Sequence, residues 1–295
     1  MKKYNLNIAG YNIRIEASPD GPELLPSARF IKNITKENQS DILIRIHSGS
    51  IELPENAEMV FHAPYFEEII GLPIQNNMEF WSIMKHRSDL YIKTTFPFSP
   101  VGKKAILKYS LTIREWDIWI TGAEKEVDPL EYPMDGLILY YLTVMHGDIM
   151  IHASGVNNIG QGYIFSGVSG KGKSTIAKIW ENSGAKVIHD DRLILRKNAS
   201  GYRMFNTPIH LNDEPKESPF NKIFIIDHGT ENNLEPVRGA SAVSLVMANC
   251  IQHNWSSEIL ARLMGSISIM CGTIPIVRLH FKPDRSVIDY ILENG

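Results

Sequence analysis

A glycine-rich segment in the middle of the chain has the residue types needed to hold a chain of phosphates. Residues 167–174 read Gly-Val-Ser-Gly-Lys-Gly-Lys-Ser and fit the pattern G-x-x-x-x-G-K-S. Glycines let successive backbone N–H groups turn around a phosphate, and a following helix aims its positive end at the same place. Lys173 can reach the outer phosphates, and the Ser174 hydroxyl can ligate a magnesium ion.

The sequence on both sides of this segment matches the context that the pattern requires. Residues 162–166 form a short apolar run typical of a buried strand, and residues 175–180 carry apolar side chains at helical spacing before Gly184 ends the helix. A strand, a glycine-rich loop and a helix in this order predict a nucleotide-binding site. Lys171 adds a second cation, which either serves the phosphates or faces solvent. The predicted cofactor-binding residues are Gly167, Val168, Ser169, Gly170, Lys171, Gly172, Lys173, Ser174 and Thr175.

An acid pair follows the next apolar run. Asp190 and Asp191 come directly after residues 186–189, which we interpret as a strand that ends at the acids. Neighbouring residues of an extended chain point to opposite faces, so the two carboxylates are expected to do different work. One would hold magnesium, and the other would accept a proton from an alcohol nucleophile. The alternative is a turn that caps the strand, because Asp is common in turns.

Three further polar residues are candidates for the same site. His152 ends a predicted strand over residues 149–153, and an imidazolium there would lower the pKa of a neighbouring carboxylate. A core histidine bonded to a backbone carbonyl is the alternative. Arg192 would neutralise developing phosphoryl charge or pair with Asp191 at the surface. Asp227 ends another apolar strand and could lie near the nucleotide, although Asp is common at strand ends.

Composition limits the classes of function. The chain has 295 residues, 43% of them apolar, and a formal net charge of −3, so no basic field indicates binding to nucleic acid. Two cysteines in no metal-like spacing favour a reduced compartment over a disulfide framework. The apolar runs are too short to span a bilayer, and no secretory signal is recognisable at the start. We therefore expect a cytoplasmic protein that binds neither nucleic acid nor membrane.

The chain is expected to form two domains. Residues 1–130 show strand-like alternation, with a hairpin near Gly10 and another over residues 107–120, whereas residues 54–102 read as loops with short elements. Residues 124–129 form a polar break. Residues 131–295 hold the glycine-rich segment and alternate between predicted strands and helices. The fold class is therefore predicted to be mixed α/β, with a β-rich N-terminal domain for binding a substrate or partner.

The second half resembles the HPr kinase/phosphorylase family and its relatives. The resemblance rests on residues 151–156, 167–175 and 190–192, which fall in the family's order with similar spacing, and it covers about residues 133–295. It implies a phosphoenolpyruvate-carboxykinase-like nucleotide fold that uses ATP and Mg²⁺. It also implies that Lys173 and Ser174 hold phosphate and magnesium, that Asp190 is the base, and that Asp191 contacts the metal. His152 and Arg192 complete the catalytic set, and the two acids could exchange roles.

Departures from the family's pattern argue against HPr as the phosphate acceptor. Thr175 stands where HPr kinases usually carry an acid, and residues 206–210 replace their Arg-Gly-Leu-Gly stretch. The predicted function is therefore transfer of the γ-phosphoryl group of ATP to a serine or threonine of a peptide or protein. A nucleotide-binding regulator or weak ATPase and a small-molecule or carboxykinase-like enzyme are the alternatives. Assembly into a homo-oligomer stays open.

Overall fold

The computed structural model describes residues 1–37, 39–65, 68, 79–98, 102–122, 125–211 and 213–294. Contacts divide the chain into two compact units. Met1–Tyr141 and Pro208–Glu214 form the first unit, and Leu142–Thr207 and Pro215–Gly295 form the second. The predicted domain boundary between residues 130 and 131 stays a prediction. Within the described ranges, no helix is long and apolar enough to cross a bilayer.

The first unit is built on a nine-stranded mixed sheet. Its strands, in spatial order, are β4 (Ile34–Thr35), β1 (Lys3–Ile8), β2 (Tyr11–Ala17), β5 (Ile42–Ser48), β10 (Glu115–Thr121), β9 (Lys104–Tyr109), β8 (Asp89–Thr95), β7 (Trp81–His86) and β6 (Glu58–His62). β5 is parallel to β2 and β10, and the other neighbours are antiparallel. A two-stranded sheet of β3 (Glu23–Leu24) and β11 (Glu126–Val127) and a 3-10 turn (Ile31–Asn33) accompany it.

The large sheet buries one face because apolar side chains occupy alternate positions. In β1 the buried residues are Tyr4, Leu6 and Ile8, and β5 and β10 repeat this alternation. The hairpin predicted near Gly10 is confirmed, since β1 and β2 pair antiparallel around that turn. The hairpin predicted over residues 107–120 is confirmed as β9 and β10.

The sequence predicts loops with short elements over residues 54–102, and the described elements there are the short strands β6, β7 and β8. β7 and β8 form a regular hairpin there, with residues 87–88 between the strands. Turn-forming residues in the flanking segments obscured these two strands in the sequence. The rest of the predicted loop region includes residues 66–67, 69–78 and 99–101, which lie outside the described residues.

The second unit is built on an eight-stranded mixed sheet. Its strands, in spatial order, are β16 (Glu217–Pro219), β15 (Gly201–Asn206), β14 (Lys186–Asn198), β12 (Ile149–Asn158), β13 (Gln161–Ser166), β17 (Lys222–His228), β19 (Ile276–Phe281) and β18 (Asn233–Val237). β17 pairs in parallel with β13 on one side and with β19 on the other, and the other pairings are antiparallel. Together with the helices, the two large mixed sheets confirm a mixed α/β fold class.

The described residues contain five α-helices, and all of them follow β11 in the chain. They are α1 (Met134–His146), which begins in the first unit and ends in the second, α2 (Lys173–Asn182), α3 (Gly239–Met247), α4 (Ser257–Cys271) and α5 (Ser286–Asn294). The second sheet has a hydrophobic core on each face. One core joins the sheet to α3 and α4, and the other joins it to α2 and α5. The sheet is therefore the middle of three layers, with α2 on the same face as the C-terminal helix.

Two predicted strand ends are wrong. β12 continues past His152 to Asn158, and β14 continues through the acid pair to Asn198. The acids and the histidine are therefore interior residues of two long antiparallel neighbours. Because each strand is hydrogen-bonded over most of its length, charged residues at these positions do not end it.

Candidate functional site

Residues 167–172 form the loop between β13 and α2, as the sequence predicts. Gly170 and Gly172 have φ angles of 81° and 91°, in the left-handed region that glycine adopts most easily. A Cβ atom on Gly172 would lie 2.8 Å from Cζ of Phe281, and one on Gly167 would lie 3.0 Å from the carbonyl oxygen of Ile226. Backbone angle and close approach together explain why glycine occupies these three positions.

The first turn of α2 offers free positive potential at this loop. Gly172 is the N-cap residue, so no side chain of the cap accepts the first helical N–H groups, and the turn contains no acidic residue. Ser174 and Thr175 are exposed there, and Lys173 is half-buried. The helix start can therefore receive an anion without first displacing a capping side chain.

The two lysines of the loop have different partners. Lys173 donates from Nζ to the carbonyl oxygens of Gly167 at 2.7 Å and Val168 at 3.3 Å, so its ammonium lies over the loop. Lys171 forms an ion pair instead of facing only solvent, because its Nζ lies 2.8 Å from Oδ1 of Asp227.

Strand β17 holds the loop through two consecutive residues. Asp227 binds Lys171, and Nε2 of His228 lies 2.9 Å from the carbonyl oxygen of Gly170. The Lys171 ammonium, followed by the backbone N–H of His228, lowers the pKa of the Asp227 carboxyl. Sequence reasoning weighed Asp227 and missed His228. The sequence shows Asp227 and His228 as a polar pair at the end of an apolar strand. Only the pairing of β17 with β13 places that pair beside the loop.

The acids lie on β14 beside residues of β12. Asp190 is opposite Ser154, whose Oγ donates a 2.5 Å hydrogen bond to Oδ1 of Asp190. Asp191 lies with Oδ1 4.0 Å from Nδ1 of His152. Both carboxylates are exposed, and Ser154 is buried. The two acids thus have separate partners, and their different roles stay a prediction. Ser154 was missed because cross-strand partners cannot be read without the register.

His152 is influenced by both the acids and the loop. Partial desolvation lowers the pKa of His152, although its side chain is 54% exposed to solvent; the Asp191 carboxylate opposes this shift, and the positive charges of Arg192 and Lys173 lower the pKa further. The lowered pKa favours the neutral ring, and the role of His152 stays a prediction.

Arg192 has no salt bridge with any described residue, so the predicted surface pair with Asp191 is not found. Its backbone N–H and that of Asp191 both donate to Nδ1 of His189, at 3.1 and 3.0 Å. The Nε atom of Arg192 is buried without a hydrogen-bond partner. His189 is buried and shapes the backbone at the acid pair, a role that its place in an apolar run does not reveal.

The described residues of this site do not form a metal site held wholly by protein side chains. In the part of the chain that the structure describes, no group of three or more His, Cys, Asp or Glu residues could hold a metal ion. Mg²⁺ commonly takes one or two carboxylates and completes its shell with water and phosphate oxygens. Asp190, Asp191 and the Ser174 hydroxyl are exposed donors of this kind.

Comparison with known proteins gives little further information. No family model matches the chain, and no curated protein matches it. Among solved structures, the Hpr(Ser) kinase/phosphatase from Coxiella burnetii is similar to part of this chain. The similar region covers 49% of this chain and 94% of that protein's chain, with 10% sequence identity and a TM-score of 0.32. This is a weak and distant fold resemblance.

Proposed function

We propose that the second unit binds ATP with Mg²⁺ at residues 167–175 and transfers the γ-phosphoryl group to a hydroxyl, that of a serine or threonine in a peptide or protein. The observation that carries the proposal is the loop itself. Its glycines have left-handed or closely packed backbone, it leads into an uncapped helix start, and the charge of Lys173 lowers the pKa of His152, which lies beside Asp191. We further infer the phosphoenolpyruvate-carboxykinase-like nucleotide fold that the sequence resemblance implies.

Phosphate binding follows from the groups at the loop. The first backbone N–H groups of α2 and the macrodipole attract negative charge. The Lys173 ammonium now donates to the carbonyls of Gly167 and Val168, and it is close enough to the loop to exchange these acceptors for phosphate oxygens. Charge-assisted bonds to phosphate are stronger than bonds to neutral carbonyls, so the exchange is favourable.

Magnesium would be held by Asp191 and the Ser174 hydroxyl, and when bound it neutralises charge that develops on the phosphate oxygens. Asp190 would serve as the base. Its Oδ1 accepts from Ser154, which leaves Oδ2 to take the proton of the acceptor hydroxyl. The hydroxyl oxygen then bonds to the γ-phosphorus while the bond from that phosphorus to the bridging oxygen breaks, and ADP leaves. Exchange of the roles of Asp190 and Asp191 is the alternative assignment.

The neutral ring of His152 would orient Asp191, and Arg192 would offset charge on the transferred group. An imidazole that is neutral can donate one hydrogen bond to a carboxylate without competing with the metal for it. Arg192 has no carboxylate partner among the described residues, so its positive charge is not already cancelled. These are the roles of His152 and Arg192 in the proposed catalytic set.

Transfer of label from ATP tests the proposal. The protein is incubated with γ-labelled ATP, magnesium and a library of serine- and threonine-containing peptides, and label is counted in peptides, small acceptors and inorganic phosphate. We expect label in peptides. Label in small hydroxyl compounds alone would favour a small-molecule kinase, and label in phosphate alone would favour a regulator or weak ATPase.

Three variants assign the roles. Lys173→Ala should weaken ATP binding at least tenfold, whereas Asp190→Asn should keep ATP and magnesium binding and stop transfer. Lys178→Ala is the matched control, because Lys178 is an exposed lysine of the same helix that pairs with Glu181. Loss of magnesium binding in Asp190→Asn would assign the base to Asp191. Unchanged ATP affinity in Lys173→Ala would overturn the proposed site.

A further inference from the structure

The first unit contains a cavity. Its lining residues are distant in sequence from the glycine loop and from the acids. It has a volume of about 600 Å³ and lies over the ends of β8, β9 and β10. Its floor consists of two rows of cross-strand neighbours, and residues 96–97 and 102–103 add to its wall. A volume of several hundred Å³ is typical of sites for small molecules. We call it the Trp119 cavity.

The first row of the floor combines a ring, an apolar side chain and a cation. Trp119 pairs with Ile106, and Ile106 pairs with Lys93, so the three side chains stand side by side on one face of the sheet. Adjacent strands are about 4.8 Å apart, which sets the distance from the first to the third residue at about 10 Å. That length fits a single ring system with an acidic group at one end.

The Trp119 ring is held in place from one side. It stacks on His47 with ring centroids 4.8 Å apart and an interplanar angle of 13°. His47 is fixed in turn by Asp117, whose Oδ1 lies 2.7 Å from Nε2 of His47. An aromatic side chain that is already ordered binds a flat ligand at a low entropic cost.

The second row supplies more positive charge. Lys104 lies between Thr121 and Thr95, its cross-strand neighbours on β10 and β8. Neither Lys93 nor Lys104 makes a salt bridge or side-chain hydrogen bond with a described residue. A third lysine of the lining, Lys103, is already occupied, because its Nζ lies 2.8 Å from Oε2 of Glu131.

Among the described lining residues, Glu79 carries the one carboxylate. Glu79 accepts a 2.8 Å hydrogen bond from Ser82 through Oε1 and forms no salt bridge with a described lysine. The two lysines without partners therefore leave an excess of positive charge beside an ordered aromatic ring. An anion is the complementary ligand.

We infer that the Trp119 cavity binds a small organic anion with a flat ring, which stacks on Trp119 and places its acidic group between Lys93 and Lys104. Aromatic carboxylates and nucleotides share this chemistry. The site is independent of the phosphate-transfer proposal, and each can fail without the other.

Binding of the dye 1-anilinonaphthalene-8-sulfonate to the full chain tests the inference, since the dye carries both a flat ring and an anionic group. We expect Lys93→Gln/Lys104→Gln to weaken dye binding about tenfold, equivalent to about 1.4 kcal/mol. Trp119→Ala should have a similar effect. Lys93→Arg/Lys104→Arg should retain binding because it keeps both charges. Lys3→Gln/Lys85→Gln removes two exposed charges from the same sheet and should change nothing.

Competition identifies the source of the ligand. ATP and indole-3-acetate are added to the dye complex of the Lys173→Ala variant, in which the loop no longer contributes. Displacement by indole-3-acetate supports an aromatic carboxylate, and displacement by ATP supports a nucleotide. Equal dye affinity in the wild type, the Gln double variant and Trp119→Ala, with thermal unfolding unchanged, would overturn the inference.

Discussion

Substitution of Gly172 by alanine should destabilise the loop. The residue has a φ of 91°, and the added Cβ would lie 2.8 Å from Cζ of Phe281, a buried residue of β19. An L-residue in the left-handed region costs about 1–2 kcal/mol. Forcing extra volume against a packed ring costs about 1–3 kcal/mol.

Gly170→Ala is the matched control, since Gly170 has a similar φ of 81° and no atom within 4 Å of the added Cβ. It should lose about 1–2 kcal/mol of unfolding free energy, from backbone strain alone. Gly172→Ala should lose about 1–3 kcal/mol more. The difference therefore measures the contact with Phe281.

Hydrogen exchange during urea unfolding is the suitable assay, because two compact units can unfold separately and one signal from the whole chain would mix them. Exchange in peptides that cover residues 163–180 and 276–288 reads the loop, α2 and β19 directly. Equal destabilisation by the two alanine variants would refute the reasoning, because it would mean that Phe281 does not restrict the loop.

Three further predictions concern the surroundings of the acids and the loop. Asp227→Asn removes a partly exposed ion pair, so the free energy of unfolding should change by less than about 1 kcal/mol. The freed Lys171 should tighten ATP binding about fivefold, measured by calorimetry. Weaker ATP binding would contradict this prediction. Because the pKa of His152 is lowered from 6.5, the unfolded chain binds more protons than the folded one below pH 6.5, so stability should fall as pH decreases from there. His152→Gln should reduce this slope in urea unfolding, and an unchanged slope would exclude the residue as its source. His189→Leu removes the acceptor of two backbone N–H groups and should cost about 1–3 kcal/mol; His189→Asn keeps an acceptor near Nδ1 and should cost less in the same assay.

Local patterns predicted the elements of the second unit well, because periodicity and turn residues act over a few positions. The strand and the helix around the loop occur as expected. The errors at β12 and β14 have one cause. Polar residues suggested strand ends, but pairing with a long neighbour keeps a strand regular through polar positions.

The site was predictable only to the level of the motif. The loop and the acids carry signals in their residue types, whereas Ser154, His189 and His228 depend on pairing between strands that are distant in sequence. The pKa of His152 likewise depends on charges from two other segments. These quantities are properties of the assembled sheet.

The location of the acids inside β14 has a consequence for how the site adapts to its ligands. The backbone that carries the acids is paired on both sides and has little room to move, whereas the glycine loop is held by side-chain contacts from β17. Adjustment to phosphates of different length would therefore fall to the loop and to the two residues of β17 that hold it. Under the proposed function, mutations that alter nucleotide preference should accumulate at residues 168–172 and 227–228, and mutations at the acids should stop phosphoryl transfer.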